Sequence, residues 1–263
     1  MEVEMMHLQP KVFEKDIRMP YYLSDRYGII TVPNLMSVLI EISGEQTNQV
    51  STQSVEKLGL HWIIIQYDIQ INRLPSANET VTVKTFAKEF NRLFSYREFE
   101  VYDADGHLLV YVMTVFALMD DNRKLSRIPS EIGKDYGSTE TRRIKRMPKP
   151  ETIQNMVEAN RKDFSVSYFD IDTNFHANNA TYFKWMLDAL GDQFLATHTP
   201  TEGNVVFEKE IHIGEDVESY VEFSVDENDV LISRHRVQVG DTVKCTASFK
   251  WIDNDKEYNL YQK

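Results

Sequence analysis

A shift of 147 residues lays one half of this chain on the other. Tyr21-Tyr22-x-x-Asp25 falls on Tyr168-Phe169-x-x-Asp172, and Gly44-Glu45-Gln46 falls on Gly191-Asp192-Gln193. Between these anchors both copies carry apolar residues at helical spacing. They are Leu35, Leu39 and Ile42 in the first copy, and Phe183, Met186, Leu187, Leu190 and Phe194 in the second. Two anchors at one shift, joined by the same helical stretch, indicate an internal duplication. No other feature constrains the fold as much, because each copy must solve the same packing problem. At roughly 100–200 residues per domain, 263 residues allow one large domain or two small ones. The duplication selects two.

Strands follow each helix. Copy one predicts Trp62–Ile71, Thr80–Phe86, Phe94–Tyr102, a turn at Asp103-Ala104-Asp105-Gly106, and Leu108–Met119. Copy two predicts Val205–Ile213, Val217–Ser224, Val230–Val239, a turn at Gly240-Asp241, and Val243–Ile252. Asp-Gly and Gly-Asp between β-rich runs are hairpin signals. In the last strand Val243, Cys245, Ala247, Phe249 and Trp251 alternate with Lys244, Thr246, Ser248 and Lys250, which predicts one buried and one wet face. Extended segments near Val12–Met19 and Asp163–Phe169 precede the helices. Each half is therefore a strand, a helix and about four antiparallel strands, an α+β arrangement. The expected division is a domain over 1–132, a linker over 133–158 with Pro148 and Pro150, and a domain over 159–263.

Charge and composition exclude some functions. Lys and Arg number 29 against 41 Asp and Glu, a net charge of −12, so the chain is a poor nucleic-acid binder. Its 13 Tyr and 14 Phe are too many for a disordered chain. A lone Cys245 rules out a disulfide framework and a Cys-rich metal site. The start, MEVEMMHLQP, has no cationic segment ahead of an apolar run, and the apolar stretch Leu108–Met119 is too short to span a bilayer. A cytoplasmic protein with no integral membrane segment is expected; a homodimer is left open.

The densest polar constellation is Asp170-Ile-Asp172-Thr-Asn174-Phe-His176-Ala-Asn178-Asn179, just ahead of the second helix. By itself it reads as a helix-entry loop, with Asn178 or Asn179 as N-cap. A calcium loop fails, because Phe175 stands where Gly is needed and Thr181 where Glu is needed. A zinc site lacks local support, since no second His or Cys lies nearby at ligand spacing. The repeat adds information. Copy one keeps Asp25 but has Tyr27 and Ile29 where copy two has Asn174 and His176. One half is decorated and the other is plain, as for an active and a supporting domain.

The run Asp172-x-Asn174-x-His176-x-Asn178-Asn179-x-x-Tyr182 resembles the catalytic-loop signature of the acyl-acyl carrier protein thioesterases of plants and bacteria. Trp62, Arg73-Leu-Pro75, Arg97, and the Phe116–Asp120 strand end followed by Arg123 are also similar to that family. The resemblance runs from about Phe13 to Trp251. It implies two tandem hotdog domains, with an N-terminal supporting domain and a C-terminal catalytic one. The implied activity is hydrolysis of the thioester between a fatty acyl chain and the phosphopantetheine arm of acyl carrier protein. The family's Asp, Asn and His fall on Asp172, Asn174 and His176, and a further acid falls on Glu210 in Phe207-Glu208-Lys209-Glu210. Glu208 and His212 would share its strand face and compete for that assignment. Plant members have a Cys next to the acid; here Ile211 takes its place, which excludes a Cys nucleophile there. The resemblance also implies an acyl tunnel beside the first helix, at Leu35, Met36 and Leu39.

The chemistry fits these residue types. No Gly-x-Ser-x-Gly elbow occurs, and Cys245 lies on an apolar strand face, so carboxylate chemistry with water remains. Asp172 or Glu210 can serve as general base or form an acyl-carboxylate intermediate. His176 can transfer a proton or orient a carboxylate, and Asn174 can hold the carbonyl or the water. N–H groups at the start of the second helix are natural oxyanion donors. His61, His107, His198 and His235 have no polar company that suggests chemistry. No metal or redox cofactor is expected.

Acyl carrier protein, the implied partner, is acidic, so an acidic enzyme needs a cationic dock. Arg142, Arg143, Lys145, Arg146 and Lys149 form such a segment, with Arg123, Lys124 and Arg127 as auxiliaries; a solvated linker is the plain alternative. Two rival functions remain. One is an acyl-coenzyme A thioesterase; the other is a non-catalytic acyl-thioester binding protein, which would not need Asp172, Asn174 and His176.

Overall fold

A computed structural model describes residues 9–52 and 55–254; Met1 to Leu8, most of the N-terminal stretch read above, lie outside them. The chain divides into two compact units. The first comprises residues up to Thr31, Leu35–Tyr67 and Leu74–Met147; the second comprises Val32–Asn34, Asp68–Arg73 and Pro148 onward.

The first copy contains β1 (Phe13–Arg18), α1 (Val32–Val50), β2 (Leu60–Ile71), β3 (Thr80–Phe90), β4 (Phe94–Tyr102) and β5 (Leu108–Asp120), then β6 (Leu125–Ser126), α2 (Ser130–Asp135) and β7 (Thr139–Glu140). Its sheet order is β1-β3-β4-β5-β2, with β6 on β5 and β7 on β3. Pro33 in the first turn and an extended Thr31 before it start α1. Val32, Leu35, Met36, Leu39, Ile42, Ser43 and Gln46 are its buried positions, one face at helical spacing. Gln46 gives the repeated Gly-Glu-Gln anchor a structural meaning. Its amide donates to the Lys11 carbonyl at 2.6 Å, and its Oε1 accepts from the buried guanidinium of Arg97. Arg97 also donates to Thr85 Oγ1 at 3.1 Å and lies 5.3 Å from the Tyr136 ring centre. Burial lowers its pKa to about 10.

The second copy contains β8 (Asn160–Ser165), α3 (Asn179–Asp188), α4 (Asp192–Thr197), β9 (His198–Phe207), β10 (Asp216–Val225), β11 (Leu231–Val239) and β12 (Thr242–Asp253). Its sheet order is β9-β12-β11-β10-β8. The duplication reaches the register of the strands. Arg18 pairs with Thr80 and Phe13 with Thr85; correspondingly, Ser165 pairs with Asp216 and Asn160 with Val221. Both copies have an α+β architecture of helix and antiparallel sheet.

Three expectations change. The helical stretch of copy two does not run through Phe194. α3 ends at Asp188, and Gly191, at the positive φ of 89 that favours glycine, is the N-cap from which α4 starts. The strand expected over Val205–Ile213 ends at Phe207. There the N–H groups of Glu208 and Lys209 both donate to the Lys244 carbonyl, at 2.8 and 3.2 Å, and the chain turns off the sheet. Glu208, Glu210 and His212 therefore share no strand face. Finally, Lys244 and Ser248 are buried, so the presumed wet face of the last strand is partly covered.

Residues 133–158 begin inside the first unit. Gly133, Tyr136 and Ser138 are buried there, and Thr141 N–H donates to the Phe90 carbonyl at 2.8 Å. The Arg143 carbonyl accepts from Asn91 at 3.2 Å, Lys145 N–H donates to Tyr96 Oη at 3.0 Å, and Met147 packs on Tyr96, Met113 and Val115. The backbone of the basic segment is thus held while Arg142, Arg143, Lys145, Arg146 and Lys149 stay exposed.

Candidate active site

The loop ahead of each helix has one design. In copy one, Asp25 Oδ1 accepts the N–H groups of Tyr27 at 2.8 Å and Ile29 at 3.0 Å. In copy two, Asp172 Oδ1 accepts the N–H of Asn174 at 2.8 Å. Asp25 N–H donates to Ile29 O, and Asp172 N–H donates to His176 O, at 2.8 and 2.9 Å. The shared aspartate therefore closes a turn, which is why both copies keep it. Each turn needs one left-handed residue. Copy one uses Gly28 at φ 77, whereas copy two uses Phe175 at φ 64, a residue 82% exposed.

The turn aims His176 at a second segment. Ala177 N–H donates to the Ile211 carbonyl at 2.8 Å, as Ile30 N–H does to the Pro75 carbonyl. This links the loop to 208–215 and brings His176 Nε2 to 3.2 Å from Glu210 Oε2. The His212 ring lies beside that of His176, with centres 5.0 Å apart at 68°. His212 N–H in turn donates to Glu215 Oε2 at 2.7 Å, the same bond that Ser76 makes to Glu79. These paired bonds equate Glu210 with Leu74, His212 with Ser76 and His176 with Ile29. Copy one has the apolar Ile29 and Leu74 where copy two carries His176 and Glu210, and Leu74 is 7% exposed.

Other side chains hold the second segment. Lys244 Nζ donates to the Glu210 carbonyl at 2.8 Å and lies 3.5 Å from Glu215 Oε1. Tyr182 Oη donates to the Lys209 carbonyl at 3.3 Å; burial drives its pKa far up, so it keeps its proton. Asn178, not Asn179, is the N-cap of α3: its Oδ1 accepts from Ala180 N–H at 2.9 Å. The His176 and Glu210 side chains keep 22% and 24% of their surface, so both are mostly covered. A carboxylate and an imidazole thus lie side by side, the imidazole three residues ahead of the start of α3 with its electropositive end.

Of the residues expected in the site, His176 and Glu210 lie side by side, Asp172 closes the turn that carries His176, and Asn174 is exposed within that turn. Leu35, Met36 and Leu39 are buried on α1. Cys245 is fully buried, and burial, with Glu208 nearby, raises its thiol pKa well above the ordinary value, so it carries no nucleophile. Lys244, Glu215 and the approach of His212 to His176 leave no signal in the sequence. The period-two pattern of the last strand hid Lys244, and only the departure of 208–215 from the sheet brings His212 in.

The profile of the acyl-ACP thioesterase N-terminal domain matches residues 10–136, and that of the C-terminal domain matches residues 153–253. The chain belongs to the acyl-ACP thioesterase family. Each half of this family member has the hotdog-type fold, a helix against an antiparallel sheet. A putative oleoyl thioesterase from Lactobacillus plantarum superposes with a TM-score of 0.90 at 31% identity, over 94% of this chain and 98% of that one. The 12:0-ACP thioesterase from Umbellularia californica superposes at 0.83 with 20% identity, over 92% and 94%. The chloroplastic oleoyl-acyl carrier protein thioesterase of Coriandrum sativum is 23% identical over 75% of this chain. The chain spans 59% of that curated relative's length. Among the described residues, no helix is long and apolar enough to cross a membrane.

Proposed function

We propose that the protein hydrolyses the thioester of a fatty acyl-acyl carrier protein, releasing the fatty acid and the carrier thiol. The observation that carries this is the His176–Glu210 pair at 3.2 Å in a family member whose first copy has Ile29 and Leu74 in its place. Glu210 takes a proton from water as the water oxygen bonds to the acyl carbon. The C–S bond then breaks, its electron pair goes to the pantetheine sulfur, and the proton returns to that sulfur through His176. The developing oxyanion lies against the N–H end of α3 and the Asn174 amide. Asp172 holds the turn that presents Asn174 and His176. Leu35, Met36 and Leu39 border the acyl chain.

The carrier docks on Arg142, Arg143, Lys145, Arg146 and Lys149. Five exposed cations on a backbone tied to Asn91, Tyr96 and Phe90 suit an acidic partner, because little order is lost on binding. Steady-state hydrolysis of one acyl chain on acyl carrier protein and on coenzyme A tests both points. The carrier thioester should be the better substrate, and R142E/R143E/R146E should raise its KM in a salt-sensitive way. Binding of either thioester with no turnover would overturn the proposal; equal rates and an unchanged KM would replace the carrier with coenzyme A.

A further inference from the structure

The local spacing of His and Cys argues against a metal site, but the fold brings together a set that spacing along the chain does not show. Ligand atoms of His176, Glu210 and His212 all lie within 4.8 Å of one another, and all three residues are partly solvent-exposed. We infer that these three side chains form a binding site for zinc or a similar late first-row divalent cation, and that the cation inhibits the enzyme by occupying its acid–base pair.

Geometry supports this first. Zinc–nitrogen and zinc–oxygen bonds near 2.0–2.2 Å place neighbouring ligands of a tetrahedral ion about 3.3 Å apart. His176 Nε2 and Glu210 Oε2 are already 3.2 Å apart, one edge of such a tetrahedron. The His212 ring lies 5.0 Å from that of His176 between centres, and its ligand atom is within 4.8 Å of the other two, close to the third corner. Chemistry gives the ion's class: two imidazoles and one carboxylate suit zinc rather than calcium or magnesium. Contacts from outside the ligand set hold the backbone of two of these residues in place. Glu215 holds the His212 backbone N–H at 2.7 Å, and Lys244 holds the Glu210 carbonyl at 2.8 Å. The first copy has Ile29, Leu74 and Ser76 at these places and cannot bind an ion in this way. The other cluster of possible ligands, Asp103, Asp105 and His107, differs in kind. Asp103 is occupied in closing its turn, accepting N–H groups of Asp105 at 3.0 Å and His107 at 2.8 Å.

Only the inhibitory consequence rests on the proposed thioesterase activity; ion binding does not. The test is Zn2+ titration calorimetry on metal-stripped protein, with Co2+ absorption as a spectroscopic check, alongside hydrolysis assays with and without Zn2+. Wild type should bind one ion with a tetrahedral cobalt spectrum. His212→Gln and Glu210→Gln should each weaken binding at least tenfold, whereas His107→Gln should not. Zn2+ should suppress hydrolysis, and a chelator should restore it. If wild type binds no ion, or His212→Gln, with its thermal midpoint confirming that it is folded, binds as wild type does, the inference is wrong. Ion binding without hydrolysis by metal-stripped wild type would uphold the site and defeat the thioesterase reading; hydrolysis indifferent to bound Zn2+ would uphold that reading and overturn inhibition through this pair.

Discussion

Phe175 is the residue at which the two copies part most plainly in energy. A non-glycine residue at positive φ costs about 1–2 kcal/mol, and Phe175 sits at φ 64 while 82% exposed. Gly28 fills the same place in copy one without strain. Phe175→Gly should therefore raise stability by about 1 kcal/mol in denaturant unfolding. A loss of stability would mean that the ring contributes more than the strain costs. The sequence made Phe175 conspicuous only by excluding a calcium loop; its strain needed the backbone angle. Asp172, by contrast, was legible because Asp25 repeats it, and the structure explains the repetition as turn closure.

At the scale of elements, the segment 208–215 decides where the acid stands. It leaves the sheet at Phe207, and Lys244 ties it to β12 through the Glu210 carbonyl. Lys244→Met should loosen this tie and lower kcat roughly 10-fold by misplacing Glu210, with partial recovery in Lys244→Arg. An unchanged kcat would show that the segment holds itself. Most elements were readable from periodicity: α1, β3, β4 and β5 appear close to where apolar spacing puts them. Two failures have clear causes. Val205 to Ile213 alternates well enough to look like one strand, but the bifurcated Lys244 carbonyl ends the ladder early. Gly191 lies within a good helical pattern yet takes a positive φ, whereas its counterpart Gly44 stays inside α1.

The whole molecule carries a buried histidine whose titration couples to folding. His235 is fully buried; its Nε2 lies 2.8 Å from Ser233 Oγ, which also accepts from Trp251 Nε1 at 2.8 Å. Burial lowers its pKa from 6.5 to about 3. The folded state then binds fewer protons than the unfolded state between those values. Stability is full above pH 6.5 and falls as pH drops, by up to about 1.4 kcal/mol per pH unit from this group. Between pH 6.5 and 4.5, above the range in which carboxylates such as Glu222 take up protons, this slope should flatten in His235→Gln. Equal slopes would assign the acid sensitivity elsewhere.

The proposed hydrolysis requires that the second copy be the one equipped for chemistry. The most direct measurement is single-turnover hydrolysis of acyl-acyl carrier protein by Glu210→Gln, which keeps the side chain's shape and removes its basicity. The predicted rate is lower than wild type by about 10²–10⁴-fold, with substrate binding retained. A rate within a few-fold of wild type would contradict it.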